Sequence, residues 1–296
     1  FQIKLLVSQV RILMNLLCFG YGQVAKNLVS NLLKKKVNLN LTISTRENSS
    51  IKKLGDFEFE NLEFKENAYD KKILDKLNEY DYILISVPPI NSNDLFLKNL
   101  ANHVSESSKI KSILYLSSTS VYGDHNGAWV NEESETKPKT KMGIDRLHIE
   151  NKWIEFSKKK KLPIQIFRLA GIYSEKNNAV SRLQNKQSFL VVKENHFFSR
   201  IHVKDISEIL YLSLINIKEN QIFNLADNKP ASSVEVTSYA SKLLGCELPT
   251  KINFEDLEEG VLKDFYRDSK KVSNEKVKKE LNYEFIYPSY KEGLAQ

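Results

Sequence analysis

The chain has 296 residues, enough for one large α/β domain or for a main domain with a smaller lobe. Hydrophobic residues make up 41%, which allows a core of normal size. The formal charge of +7 is mostly lysine, in short runs such as Lys34 to Lys36 and Lys158 to Lys161. Both runs fall at the ends of helical segments, where cations offset the helix dipole. No stripe interleaves basic and aromatic residues, so the charge reads as a solvated surface and not as a nucleic-acid site.

No apolar run reaches the roughly 18 residues that a spanning helix needs, so no membrane partner is expected. The two cysteines, Cys18 and Cys246, form no CxxC and no disulfide framework, which fits a reducing, cytoplasmic setting. Residues 1–13, FQIKLLVSQVRIL, make a poor signal peptide because no small-residue cleavage site follows. Met14 stands directly before a strand pattern and reads as the natural start, with residues 1–13 as an N-terminal extension.

From Met14 onward, strand and helix patterns alternate. LLCF (16–19) is a short apolar run closed by glycines, and QVAKNLVSNLLKKK (23–36) has apolar residues at helical spacing. LNLTIS (39–44) alternates as a strand does. A helical pattern over 71–80 leads into YILISV (82–87), a buried-strand run stopped by Pro88 and Pro89. Helices are expected over 94–104 and 145–160, with strands at SILYLSS (112–118) and PIQIFRLAG (163–171). After Ile172 the rhythm loosens. A helix (205–217) and a strand (222–226) restore it, and a further helix opens at Ser232 and Ser233 and ends near Gly245. Ser273 is the expected N-cap of a last helix, with Asn282 as its left-handed C-terminal residue.

This βαβα order predicts an α/β fold: a Rossmann-like, doubly wound parallel sheet with a small C-terminal lobe. Residues 14–172 and 201–227 are assigned to the dinucleotide-binding domain, and 173–200 and 228–296 to a substrate lobe. FGYGQVAKNL carries Gly20, Gly22 and, in the third position, Ala25. In this context, after a strand and opening a helix, the pattern points to dinucleotide binding. Gly20 permits the tight turn, Gly22 the approach of a pyrophosphate, and Ala25 close packing of helix on sheet. Gln23 and Val24 belong to the same helix start, whose NH groups suit phosphates. The second strand ends in Ser44-Thr45-Arg46, with no acid to hold an adenosine ribose. Arg46 suits a 2′-phosphate, so NADP is favoured and NAD stays possible.

SSTSVYGDHNGAWVNEE (117–133), Pro138, MGIDR (142–146), Glu150 and FRLAGIY (167–173) together resemble the extended short-chain dehydrogenase/reductases, the NAD(P)-dependent epimerases and dehydratases. RIHVKDI (200–206) and FNLADNKP (223–230) look like that family's later blocks. VPP (87–89) and SSTSVYGD look closest to its atypical oxidoreductase members, which adds Val87 and Pro88 to the cofactor residues. The family carries Tyr-x-x-x-Lys on its catalytic helix, with a serine or threonine before it. The resemblance puts Ser118 at the hydroxyl position, Met142 at the tyrosine and Arg146 at the lysine. Gly143 and Glu150 keep their usual places.

Met142 has no proton to transfer. His125, oriented by Asp124, is the candidate substitute, set against a plain loop histidine. Tyr122 is expected to pack structurally, and Trp129 to pack or to face substrate. His202 is expected to be structural, and Glu132 and Glu133 to lie on a solvated loop. His103, His148 and His196 show no metal-ligand spacing, so no metal is expected. The resemblance implies an NADP-preferring oxidoreductase acting on a small carbonyl, aldehyde or sugar-nucleotide-like substrate. A non-catalytic NADP(H)-binding sensor or scaffold is the alternative. Monomer and homodimer both stay open.

Overall fold

The computed structural model describes residues 13–186 and 189–295. The expected N-terminal extension therefore lies outside the described residues, apart from Leu13. In chain order the elements are β1 (Met14–Phe19), α1 (Gln23–Lys34), β2 (Leu39–Thr45), β3 (Ser50–Leu54), β4 (Phe57–Glu63), α2 (Lys72–Lys76), β5 (Tyr82–Ile85), α3 (Leu95–Asn99), β6 (Ser112–Ser118), β7 (Trp129–Val130), α4 (Lys141–Lys160) and β8 (Ile164–Leu169). They continue with β9 (Gly171–Tyr173), α5 (Ala179–Gln184), β10 (Phe189–Val192), β11 (Arg200–His202), α6 (Val203–Ile215), β12 (Gln221–Leu225), α7 (Ser233–Leu244), β13 (Thr250–Asn253), α8 (Val261–Arg267), β14 (Lys271–Val272), α9 (Glu275–Leu281) and α10 (Tyr290–Leu294).

Eight strands form one sheet in the order β12-β8-β6-β5-β1-β2-β4-β3. All neighbours are parallel except the β3–β4 pair. The order reverses at β1, which pairs with β2 on one side and β5 on the other. In open α/β sheets such a reversal leaves a crevice beyond the C-terminal strand ends, where ligands bind. The strands read as continuous apolar runs because helices cover both faces. On one face α1 packs with α6. On the other lie α3 and α4, with Trp153 buried against Phe96, Tyr115 and Phe156. Ala179, Ala231, Val236, Ala240, Tyr290 and Leu294 form a separate small apolar cluster among α5, α7 and α10. Among the described residues, no helix is long and apolar enough to cross a membrane.

Several boundaries differ from the sequence expectation for local reasons. The β3–β4 hairpin lies outside the expected elements: SIKKL is an exposed, lysine-bearing edge strand with no apolar alternation, although FEFENLE of β4 does alternate. The expected helix over 94–104 is α3 followed by a single 3-10 turn, Ala101–His103. Asp94 caps α3 by accepting from the Leu97 NH at 2.9 Å. The expected helix over 145–160 starts at Lys141, where the Thr140 hydroxyl accepts from the Gly143 NH at 3.2 Å. Asn282 does adopt the left-handed conformation, φ 48°. The N-cap of α9 is Asn274, one residue after the expected Ser273.

One charged pair lies within this apolar packing. Glu150 of α4 is 1% exposed and receives three hydrogen bonds from Arg168 of β8, the shortest 2.8 Å. The Ser117 hydroxyl adds a fourth at 2.5 Å. Arg168 also donates to the Tyr122 hydroxyl at 3.0 Å, which in turn donates to Asn224 Oδ1 at 2.7 Å. Breaking a buried pair by removing one partner leaves an uncompensated charge. Glu150→Ala is therefore expected to cost about 3–5 kcal/mol, read from the midpoint of urea unfolding. A cost under about 1 kcal/mol, the value of an exposed pair, would contradict this.

Candidate active site

Two glycines at the β1–α1 turn are glycines for different reasons. Gly20 has φ +93°, and a Cβ there would lie 2.7 Å from Ser86 Oγ and 2.8 Å from Val87 Cγ2. The Gly20 NH donates to Ser44 O at 3.1 Å, and the Ser86 hydroxyl donates to Gly20 O at 3.0 Å. The fold itself thus requires glycine at 20. Gly22 has an ordinary φ of −79°, and a Cβ there would meet nothing within 4 Å. The fold makes no demand for glycine at 22, and the side chain it lacks would fill open space.

That space lies at the start of α1, which has no side-chain cap and no acid in its first turn. The first NH groups of a helix have no partner within it, so the helix start at Gly22, Gln23 and Val24 is suited to an anion. Ala25 is fully buried, as close packing of α1 requires. Val87 reaches the turn, and Pro88 follows it exposed. These residues fit a dinucleotide pyrophosphate.

At the adenosine end, Asn61 fixes the loop after β2. It accepts from the Thr45 hydroxyl at 2.9 Å and donates to Asn48 O at 3.0 Å. Arg46 projects from this fixed loop, exposed and with no ion pair among the described residues.

The reaction end is built by β6 and α4. Gly143 allows α4 to press on the 3-10 turn Thr119–Tyr122; a Cβ would lie 2.6 Å from Ser120 O. This seats Met142, 54% exposed, in the wall of a cavity of about 560 Å³ that Ser118, Thr119, Ser120 and Thr140 also line. Ser118 Oγ accepts from the Ser120 NH at 3.1 Å, and its own proton has no acceptor among the described residues. Arg146 lies one turn along α4. Its Nη1 donates to Leu116 O at 2.9 Å and to the Tyr115 hydroxyl at 3.4 Å.

His125 does not line this cavity. Its Nε2 lies 3.1 Å from Tyr122 O and 3.2 Å from Glu135 O, so the ring holds two loop carbonyls. Asp124 does not face the imidazole in a hydrogen bond; it accepts from the NH groups of Ser269 at 2.8 Å and Asn126 at 3.2 Å. Tyr122 is buried and structural, as its bonds to Arg168 and Asn224 require. His202 is fully buried and caps α6, accepting from the Lys204 NH at 3.2 Å. Burial pushes its pKa down to about 4. Trp129 is exposed and lines a second, smaller cleft instead. Glu132 corrects the solvated-loop expectation: it is half-buried and accepts from the Asn224 NH at 2.7 Å, and burial raises its pKa.

The cavity lining also holds charges that motif reading missed: Arg182, Arg200 and Lys270, with Asp264 and Asp268. Arg200 donates to Phe198 O at 3.1 Å and Ala231 O at 2.8 Å, and burial pushes its pKa down to about 10. Arg182 is more exposed. Neither arginine has an ion pair among the described residues. One signal was available: between residues 176 and 204 the only acid is Glu194, although both arginines and four lysines fall there.

The strand order and the glycine turn define a Rossmann-like α/β protein. The chain belongs to the NAD dependent epimerase/dehydratase family, whose model matches residues 20–226. Protein YeeZ of Escherichia coli (strain K12) is 28% identical over 228 residues, covering 74% of this chain and 76% of its own. A solved structure of a functionally unknown conserved protein from Silicibacter pomeroyi DSS is 29% identical, with a TM-score of 0.82 over 95% of this chain and 96% of its own. The fold is also that of dTDP-glucose 4,6-dehydratase from Bacillus anthracis str. Ames, solved with NAD: TM-score 0.78, 19% identity, 95% of this chain and 94% of that one.

The two glycines give a paired prediction. Gly20→Ala should lower the melting temperature, because the turn cannot take a Cβ. Gly22→Val should melt as the wild type does and lose NADPH binding in a fluorescence titration. Unchanged affinity in Gly22→Val would remove the cofactor assignment.

Proposed function

We propose that the protein is an NADP-preferring oxidoreductase acting on a carbonyl of an anionic small molecule, in the manner of a sugar nucleotide. The observation that carries this reading is one cavity lined both by Ser118 and Met142 and by Arg182 and Arg200. Two guanidinium groups on one cavity, with no ion pair among the described residues, favour a ligand that brings negative charge. The bound nicotinamide supplies the hydride for such chemistry. Ser118 would donate to the carbonyl oxygen. The free N–H groups of the Arg146 fork would hold the nicotinamide ribose, where the family uses lysine. Apolar neighbours such as Leu169, Ile172 and Phe197 line the same cavity and limit water near the reacting carbon.

The position of Met142 also supports the rival reading, a non-catalytic NADP(H)-binding sensor or scaffold. A thioether takes the place where the family has a phenol, and general acid–base help is worth about 10²–10⁴ in rate. Restoring the pair separates the readings. Met142→Tyr with Arg146→Lys places phenol and ammonium four residues apart on one helix face. NADPH-dependent carbonyl reduction should rise by about 100-fold or more over a wild type that has no proton donor of its own. No gain over an active wild type would mean that another group already supplies the proton, and no activity in either would mean that the cavity does not admit a carbonyl beside α4. An inactive wild type rescued by the double change would favour the sensor.

Arg46 tests the cofactor preference. Arg46→Glu removes the partner of a 2′-phosphate and repels it, so the ratio of NADH to NADPH dissociation constants should fall at least about tenfold, or 1.4 kcal/mol. A ratio unchanged within about threefold would make Arg46 a bystander.

A further inference from the structure

We propose that Lys270 donates the proton that the family's tyrosine would have donated. The inference rests on the oxidoreductase reading above. It starts from the segment that holds Lys270, residues 268–272, which runs as a strap along the cavity. Ser269 is bound on all sides away from the cavity. Its carbonyl accepts from the NH groups of His125 at 3.1 Å and Gly127 at 2.9 Å, and its hydroxyl donates to Asn195 O at 3.0 Å. The Lys271 NH donates to Ala128 O at 2.9 Å and the Val272 NH to Ser199 Oγ at 2.9 Å. Side chains alternate along such an extended segment. Asp268, Lys270 and Val272 accordingly line the cavity, whereas Ser269 and Lys271 do not. The GDHNG loop, which directly follows the turn after Ser118, thus has a role: Asp124 and the backbone of His125 and Gly127 fix the strap that carries Lys270.

The other proton-bearing groups of the cavity are poorly suited. The hydroxyls of Ser118, Thr119, Ser120 and Thr140 do not titrate near neutrality, and the arginines do not release a proton. Tyr173 donates to Ser289 O at 3.2 Å and Tyr290 to Glu235 Oε1 at 2.7 Å, and burial raises the pKa of both. Tyr266 shares a hydrogen bond of 3.1 Å with Ser233. Lys270 differs. It is 9% exposed, and its ammonium has one partner among the described residues, Asp268 Oδ2 at 3.4 Å. An ammonium has three donors, so two remain for a ligand oxygen in a place largely closed to water. Burial lowers its pKa from the ordinary lysine value, against the opposing pull of Asp268 and Asp124. His196, facing it from the segment before β11, is itself held down to about 4.

The step balances. As hydride reaches the carbonyl carbon, the C=O π pair moves to oxygen. The oxygen takes a proton from Lys270 Nζ, and the resulting amine is reprotonated from solvent. Oxidation of an alcohol runs the same transfers in reverse.

Lys270→Arg is the informative variant, because it keeps the charge and the Asp268 partner but cannot release a proton. Wild type, Lys270→Arg and Lys270→Met would be compared for NADPH binding by fluorescence. Their reduction of phenanthrenequinone and of a nucleotide-linked keto sugar would be followed across pH. Both variants should bind NADPH as the wild type does and lose about 100-fold or more in kcat. The pH dependence of the wild type should match the titration of the Lys270 Cε resonance in 13C-lysine-labelled protein, assigned by its absence in Lys270→Arg. That titration should fall below the ordinary lysine range. Wild-type kcat in Lys270→Arg, or an ordinary lysine titration, would overturn the proposal and leave the oxidoreductase reading standing. A wild type that binds NADPH and reduces neither probe would instead overturn the oxidoreductase reading.

Discussion

Where β1 runs out, the chain comes so close to the end of β5 that no side chain fits between them. Gly20 lies against Ser86 and Val87, with φ in a region that L side chains rarely adopt. This contact sits where the strand order reverses, so it sets the floor of the crevice that the sheet leaves open. The hydrogen bonds of Gly20 tie that floor to β2 through Ser44 and to the residue after β5 through Ser86. The loop bearing Arg46 and the loop bearing Val87 are thereby fixed relative to the start of α1. A site that must meet a long, anionic cofactor at several points needs such rigidity, because each mobile contact costs ordering entropy on binding.

The second constraint holds the reaction end. Glu150 and Arg168 join α4 to β8, and Tyr122, Asn224 and Glu132 extend their network to β12 and the loop before α4. Gly143 presses the start of α4 against the turn after Ser118. Neither contact involves Met142 or Arg146. The residues that place the helix are thus distinct from Met142, which lines the cavity, and from Arg146, which turns to Leu116 and Tyr115. The cations that line the cavity, and not that frame, tilt the reading toward a reaction.

Local patterns made half of this legible. The glycine turn, the alternation of strand and helix and the left-handed Asn282 are written in neighbouring residues, and each was read correctly. The β3–β4 hairpin was not, because its edge strand is charged and exposed and shows no apolar period. Glu132 looked like a loop acid; only the arrival of Asn224, 92 positions away, gives its carboxylate an NH to accept. His125 looked like a stand-in base because its neighbours in sequence suggested one, yet its ring turns to the carbonyls of Tyr122 and Glu135. The cavity charges were least legible. Arg182, Arg200 and Lys270 share no motif spacing and meet only after the sheet has closed the chain on itself.

The central claim is that this family member still transfers hydride although methionine stands at the tyrosine position. Incubation with NADPH deuterated at the transferable position of the nicotinamide, beside a panel of carbonyl compounds, tests it directly. The account predicts deuterium on the former carbonyl carbon of a product, detected by mass spectrometry. Saturable NADPH binding with no deuterium in any product would contradict it.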